Sequence, residues 1–165
     1  MKRMGEEMSP VDTVGRFCER VGYNRAEKDL FRQGGHRTRN IEGIYKVYRR
    51  LSIEIQVVKA RHCNSGYKEG DLFVMDIDGN FISKLCPKRM CVYLVSHLDI
   101  PVALINERVS EGLDPNAFHF TRNVRCSDVG VECLGYGEVM VQVKVVPRKK
   151  YDPAGYQLDH DDNGS

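Results

Sequence analysis

A chain of 165 residues with 41% hydrophobic content is long enough to bury one real core, so it needs no disulfide framework to fold. No run of about 18 apolar residues occurs, which excludes a membrane-spanning helix, and Met1 to Gly15 lacks the apolar stretch of a signal peptide. A cytoplasmic setting is therefore expected, and there six cysteines read as reduced thiols or metal ligands rather than disulfides.

The formal net charge of +2 is unevenly spread. Residues 1–50 hold twelve Lys or Arg against seven Asp or Glu, whereas residues 51–146 hold ten against twelve. The basic part reads as three short helices. Ser9-Pro10-Val11-Asp12 offers a cap, a proline for the first turn and an acid, ahead of Val14, Phe17, Cys18 and Val21 on one face. Asn24-Arg25-Ala26-Glu27 repeats the capping pattern, with Gly34-Gly35 as a stop. Asn40 is placed to cap a third helix through Ile41, Ile44, Tyr45, Tyr48 and Leu51. Arg37, Arg39, Lys46, Arg49 and Arg50 invite a nucleic-acid reading, but no side-chain set there reads base edges, so a solvated basic face is the better account.

A second part begins at Ser52, where Ile53, Ile55 and Val57 alternate with polar residues in a half-buried strand. Cys63-Asn64-Ser65-Gly66-Tyr67-Lys68-Glu69-Gly70 is a turn whose glycines permit a tight bend, and Asp71 to Asp76 supplies a second strand. Asp76-Ile77-Asp78-Gly79-Asn80 lacks the further acidic ligand of a calcium loop and reads as a turn. Leu85-Cys86-Pro87 predicts a helix start, which would put the Cys86 thiol at a helix N-terminus that favours the thiolate; Pro101 would break that helix and a second would run to Gly112. Strands over 121–127 and 137–146 follow, the latter alternating so regularly that one face must be buried. Pro147 and the basic run Arg148-Lys149-Lys150 end that strand, residues 151–165 are polar and acidic, and 148–165 are expected to form a flexible tail.

The division expected is thus an N-terminal helical segment (1–51), a cysteine-containing domain (52–147) and the tail. The fold class is α+β: a small, mostly antiparallel sheet covered by one or two helices.

Within residues 52–146, Cys63, Gly66, Gly70 and Asp71, then Leu85-Cys86-Pro87, then Cys126 and Asp128 follow a pattern of short motifs. The chain here resembles a family of small, largely uncharacterised prokaryotic proteins with a Cys-x-x-Gly-His-x-x-Gly-Asp turn, a Leu-Cys-Pro helix start and a late Cys-Pro-Asp. Tyr67 stands where that turn has histidine and Ser127 where the last motif has proline, so the resemblance implies an architecture and three thiols but no activity.

Three roles for the thiols compete. Cys63, Cys86 and Cys126, with His62, are candidate ligands for zinc or an iron–sulfur site, with Cys91, Cys133 or His97 as further donors; no CxxC pair supports it. Cys86, or else Cys63, is a candidate nucleophile with His62 or His97 as base. Alternatively the cysteines pack as small apolar groups, as expected for Cys18, Cys91 and Cys133 taken singly. The function expected is a metal-binding accessory protein or small subunit of a larger enzyme, with a protein partner or a second copy of itself; a stand-alone thiol enzyme is the alternative, and nucleic-acid binding a third.

Overall fold

The computed structural model describes residues 12–151. Helices α1 (Thr13–Arg20), α2 (Arg25–Arg32) and α3 (Gly35–Val47) precede strands β1 (Leu51–Arg61) and β2 (Leu72–Met75); then come α4 (Val92–Val95), α5 (Asp99–Ser110), β3 (Asn123–Arg125) and β4 (Glu138–Pro147). The strands form one antiparallel sheet in the order β2-β1-β4-β3. This is the α+β arrangement expected from the sequence, and none of the described helices is long and apolar enough to cross a membrane.

The core lies on one face of the sheet. Ile53, Ile55 and Val57 of β1, Phe73 of β2 and Val139, Val141, Val143 and Val145 of β4 are buried there beneath Ile44 of α3, Leu94 of α4 and Ile105 and Val109 of α5. Strand periodicity places these residues on one side, as the sequence predicts. The pairing of β1 with β4 slips after Val57, where Lys59 lies opposite Met140 and Val58 is the extra residue of a β-bulge. The bulge reverses the alternation. Ala60 now faces Val139 on the core side, and the chain leaves β1 towards Cys63 on that same side.

Several boundaries differ from expectation. Ser9 and Pro10 lie outside the described residues, and the cap of α1 is Asp12, whose carboxylate accepts Gly15 N–H at 2.8 Å and the Arg32 guanidinium at 2.7 Å. The Asn24–Glu27 capping box of α2 is formed as predicted. α2 ends at Arg32 with Gln33 as its C-cap, and Gly34 N–H donates to Phe31 O at 3.2 Å, so the glycine pair marks the end of the helix as expected. Gly34 is at the same time the N-cap of α3, which leaves Asn40 in mid-helix. Pro101 does not break a helix. It sits third in α5, where the amide it lacks would have had no intrahelical partner.

The predicted helix start at Pro87 is corrected as well. Ser83–Leu85 form a 3-10 turn, Cys86 is extended, and the helix begins only at Val92 with Cys91 as its N-cap. β3 is shorter than the strand expected over 121–127. Beyond β4, Arg148–Lys150 form a further 3-10 turn in which Arg148 is buried and Lys149 and Lys150 are exposed, and Tyr151 follows half-buried; residues 152–165 lie outside the described residues.

Candidate functional site: a cleft lined by three thiols

The turn after β1 folds back on its own strand. Gly66 N–H donates to Cys63 O at 2.9 Å, and Gly70 N–H donates to Val57 O at 2.9 Å. Gly66 (φ 80°) and Gly70 (φ 93°) adopt the left-handed backbone the bend requires. Tyr67, buried at 5% exposure and edge-on to Phe73, is the pin of this turn. Its hydroxyl donates to Arg89 O and accepts Cys91 N–H, both at 2.8 Å, so the turn fixes the residue that caps α4. Burial pushes the Tyr67 hydroxyl pKa up, which keeps its proton in place for the bond to Arg89.

A second wall is the loop between β3 and β4. The Asp128 carboxylate gathers the amides of Gly130 (3.1 Å), Tyr136 (3.0 Å) and Gly137 (3.1 Å), and the bond from Gly130 foremost holds its carboxyl below the usual range. Close approach demands glycine at the loop's end. A Cβ on Gly137 would lie 2.3 Å from His62 O.

Between these walls opens a cleft of about 290 Å³, lined by Cys63, Cys91 and Cys126 together with Tyr67, Val92, Tyr93, Leu94, Tyr136 and Val139. Its surface is mainly apolar, and its rim is unusually so for a solvated edge: Val92, Tyr93 and Tyr136 are 67%, 65% and 80% exposed. Ser127 N–H donates to Tyr93 O at 3.0 Å and so ties α4 to the end of β3.

The structure brings together two of the thiols singled out from the sequence, Cys63 and Cys126, and adds Cys91, which the sequence suggested only as a packing residue or spare donor. Cys86 is not among them. Its sulfur accepts Val74 N–H at 3.4 Å and donates to Val74 O at 3.5 Å, which closes the outer edge of β2. Burial pushes the Cys86 thiol up, the reverse of the activation a helix N-terminus would have supplied, and the Val74 amide only partly opposes this. His62, with φ 52°, is exposed and lines a shallow hollow formed with residues 129–132. His97 Nε2 lies 2.7 Å from Ser127 Oγ. Cys133 is exposed, and Cys18 is buried among Val14 and Phe31.

Among the described residues no three His, Cys, Asp or Glu side chains are grouped so as to hold a metal ion. Asp76 instead serves its turn, accepting Asn80 N–H at 2.9 Å, Asn80 Nδ2 at 3.0 Å and the Tyr48 hydroxyl at 3.3 Å. The basic helices carry internal partners too: Arg20 pairs with Asp78, Lys28 with Glu19, and Arg37 donates to Leu30 O across the Phe31 ring. Comparison of the chain with protein-family models, with curated proteins and with solved structures finds no match.

Proposed function

We propose that this protein is a cysteine-centred accessory protein that works by binding, and that its working surface is the cleft bounded by the 63–70 turn, α4 and the 128–137 loop. The observation that carries this reading is the convergence of three thiols from three distant stretches on one apolar, aromatic-rimmed opening. Binding is favoured over thiol catalysis because the thiol first suggested as a nucleophile, Cys86, has its pKa raised and serves a sheet edge. Neither suggested base lines the cleft: His62 borders a different hollow and His97 meets Ser127.

An apolar reporter dye of the anilinonaphthalene sulfonate type tests the reading. The folded protein is expected to bind one equivalent saturably, and Tyr93→Ser combined with Tyr136→Ser is expected to weaken binding by about tenfold, the loss of ~1.5 kcal/mol of apolar contact. Absence of a saturable site, or indifference to both substitutions in a protein of unchanged circular dichroism, contradicts it. A single thiol alkylated by iodoacetamide far faster than the exposed Cys133 would instead favour the enzyme reading.

A further inference from the structure

The loop that forms the second wall of the cleft is tightly braced and apolar at its surface. Besides the three amides on Asp128, Gly130 O accepts Cys133 N–H at 3.1 Å and Gly135 N–H at 2.8 Å, and a Cβ on Gly135 would lie 2.3 Å from Asp128 Oδ1. On this frame Val129, Val131, Leu134 and Tyr136 stand exposed. Leu134 is the extreme case. It is 99% exposed, and it holds a φ of 66° that a leucine side chain disfavours. Burial within the chain accounts for neither feature. With Val92 and Tyr93 across the cleft, these side chains expose on the order of 800 Å², about what each partner contributes to a standard protein interface.

We propose that this surface pairs with a second copy of the chain across a two-fold axis, the Leu134 loop of each copy seating in the cleft of the other. The inference rests on the binding reading of the cleft and names its partner. A two-fold interface has to be self-complementary, and here a projecting apolar loop and an apolar opening of about 290 Å³, ample for a leucine side chain, lie side by side. The charges match in the same sense. Residues 128–138 carry Asp128, Glu132 and Glu138 and no Lys or Arg. Asp128 is engaged by backbone amides and Glu138 by Lys59 and Arg125, whereas Glu132 stays exposed in its pair with Arg61 at 3.6 Å. The other wall, from the 63–70 turn to the residues that lead into α4, exposes Lys68, Lys88 and Arg89 against Glu69. A two-fold that carries the loop across the cleft sets Glu132 of one copy towards the basic wall of the other. An anionic lipid surface is matched less well, because the loop offers it acids and no base.

Sedimentation velocity of the full chain across the micromolar range tests this. The chain is expected to pass from monomer to dimer as its concentration rises, and saturating anilinonaphthalene dye, which competes for the cleft, to return it to monomer. In dilute protein both loop and cleft are open, so dye binding and thiol labelling there read the monomer. Leu134→Gly removes the side chain at a φ that glycine adopts freely, so the thermal midpoint of the dilute protein should not fall while dimer affinity drops at least tenfold. Glu132→Lys, and Lys88→Glu with Arg89→Glu, should each weaken self-association about tenfold, and mixing the two reversed chains should restore pairing between them. A chain that stays monomeric throughout, or a dimer that Leu134→Gly and both reversals leave intact, overturns the proposal. So does flotation of a monomeric chain with phosphatidylserine vesicles, which would assign the loop to a membrane. If the dye binds a chain that never dimerises, this inference falls and the binding reading stands; if the chain neither dimerises nor binds dye, both fall.

Discussion

Three side chains complete the sheet where strands run out. Cys86 meets both the N–H and the carbonyl of Val74, and Asn116 does the same for Val145, accepting its N–H at 2.8 Å and donating to its carbonyl at 2.9 Å. Cys126 adds a sulfur acceptor for Val139 N–H. These side chains give partners to the amides of Val74 and Val139 and to both peptide groups of Val145, while the Val74 carbonyl also accepts Ile82 N–H at 2.8 Å. Asn116→Ala should therefore cost about 1–3 kcal/mol, the penalty for half-buried backbone groups left without partners, read as a lower urea midpoint with unchanged slope. Unchanged stability would show that water replaces the amide at no cost. These roles were not legible in the sequence: Leu85-Cys86-Pro87 carries a helix-start signal, and the bonds that decide Cys86's conformation come from a residue twelve positions earlier. Cys63 was legible as a candidate because it opens the glycine turn, and Cys126 because it stands with Asp128 in the pattern of short motifs, whereas Cys91 gained its place only through the Tyr67 hydroxyl.

Where α3 and α5 cross, the contact passes through Gly43. A Cβ there would lie 2.5 Å from Ser110 Cα and 2.8 Å from its carbonyl oxygen, backbone atoms that cannot turn aside. Alanine would gain roughly 0.5–1 kcal/mol of helix propensity at this position, yet overpacking costs about 1–3 kcal/mol, so the clash decides the sign. Gly43→Ala is expected to lower the thermal midpoint by several degrees; a raised midpoint would mean that the helices separate freely. The long alternating strands β1 and β4 were plain in the sequence because burial imposes a period of two on them. The bulge at Val58 and the start of α3 were not. The first depends on pairing with β4, and Gly34-Gly35 serves as readily to begin a helix as to end one.

Across the whole molecule, Glu54 joins the middle of the sheet to the end of the described chain. It is 1% exposed on β1, opposite Val74 and Lys144, and it accepts Lys144 Nζ at 2.7 Å together with Lys150 Nζ and the Tyr151 hydroxyl. Burial alone would raise its carboxyl pKa, but the bonds from Lys144, Lys150 and Tyr151 outweigh it and hold the value down at about 2. A carboxyl lowered from its ordinary 4.5 in the folded state contributes stability that is fully present above that value and is lost as pH falls towards 2. The expected contribution is roughly 3 kcal/mol, so urea midpoints should fall over that interval, and Glu54→Gln should flatten the fall. An equal slope in the variant would assign the acid sensitivity to other carboxylates.

The same architecture sets the walls of the thiol cleft, and the rate at which iodoacetamide reaches each of the six cysteines, with and without saturating apolar dye, tests that account most directly. Cys133 is predicted to react first and regardless of dye, Cys18 and Cys86 to stay slow throughout, and Cys63, Cys91 and Cys126 to be protected together when the dye is bound. Protection that falls on Cys86 or Cys133, or three cleft cysteines that respond to the dye independently or not at all, would contradict it.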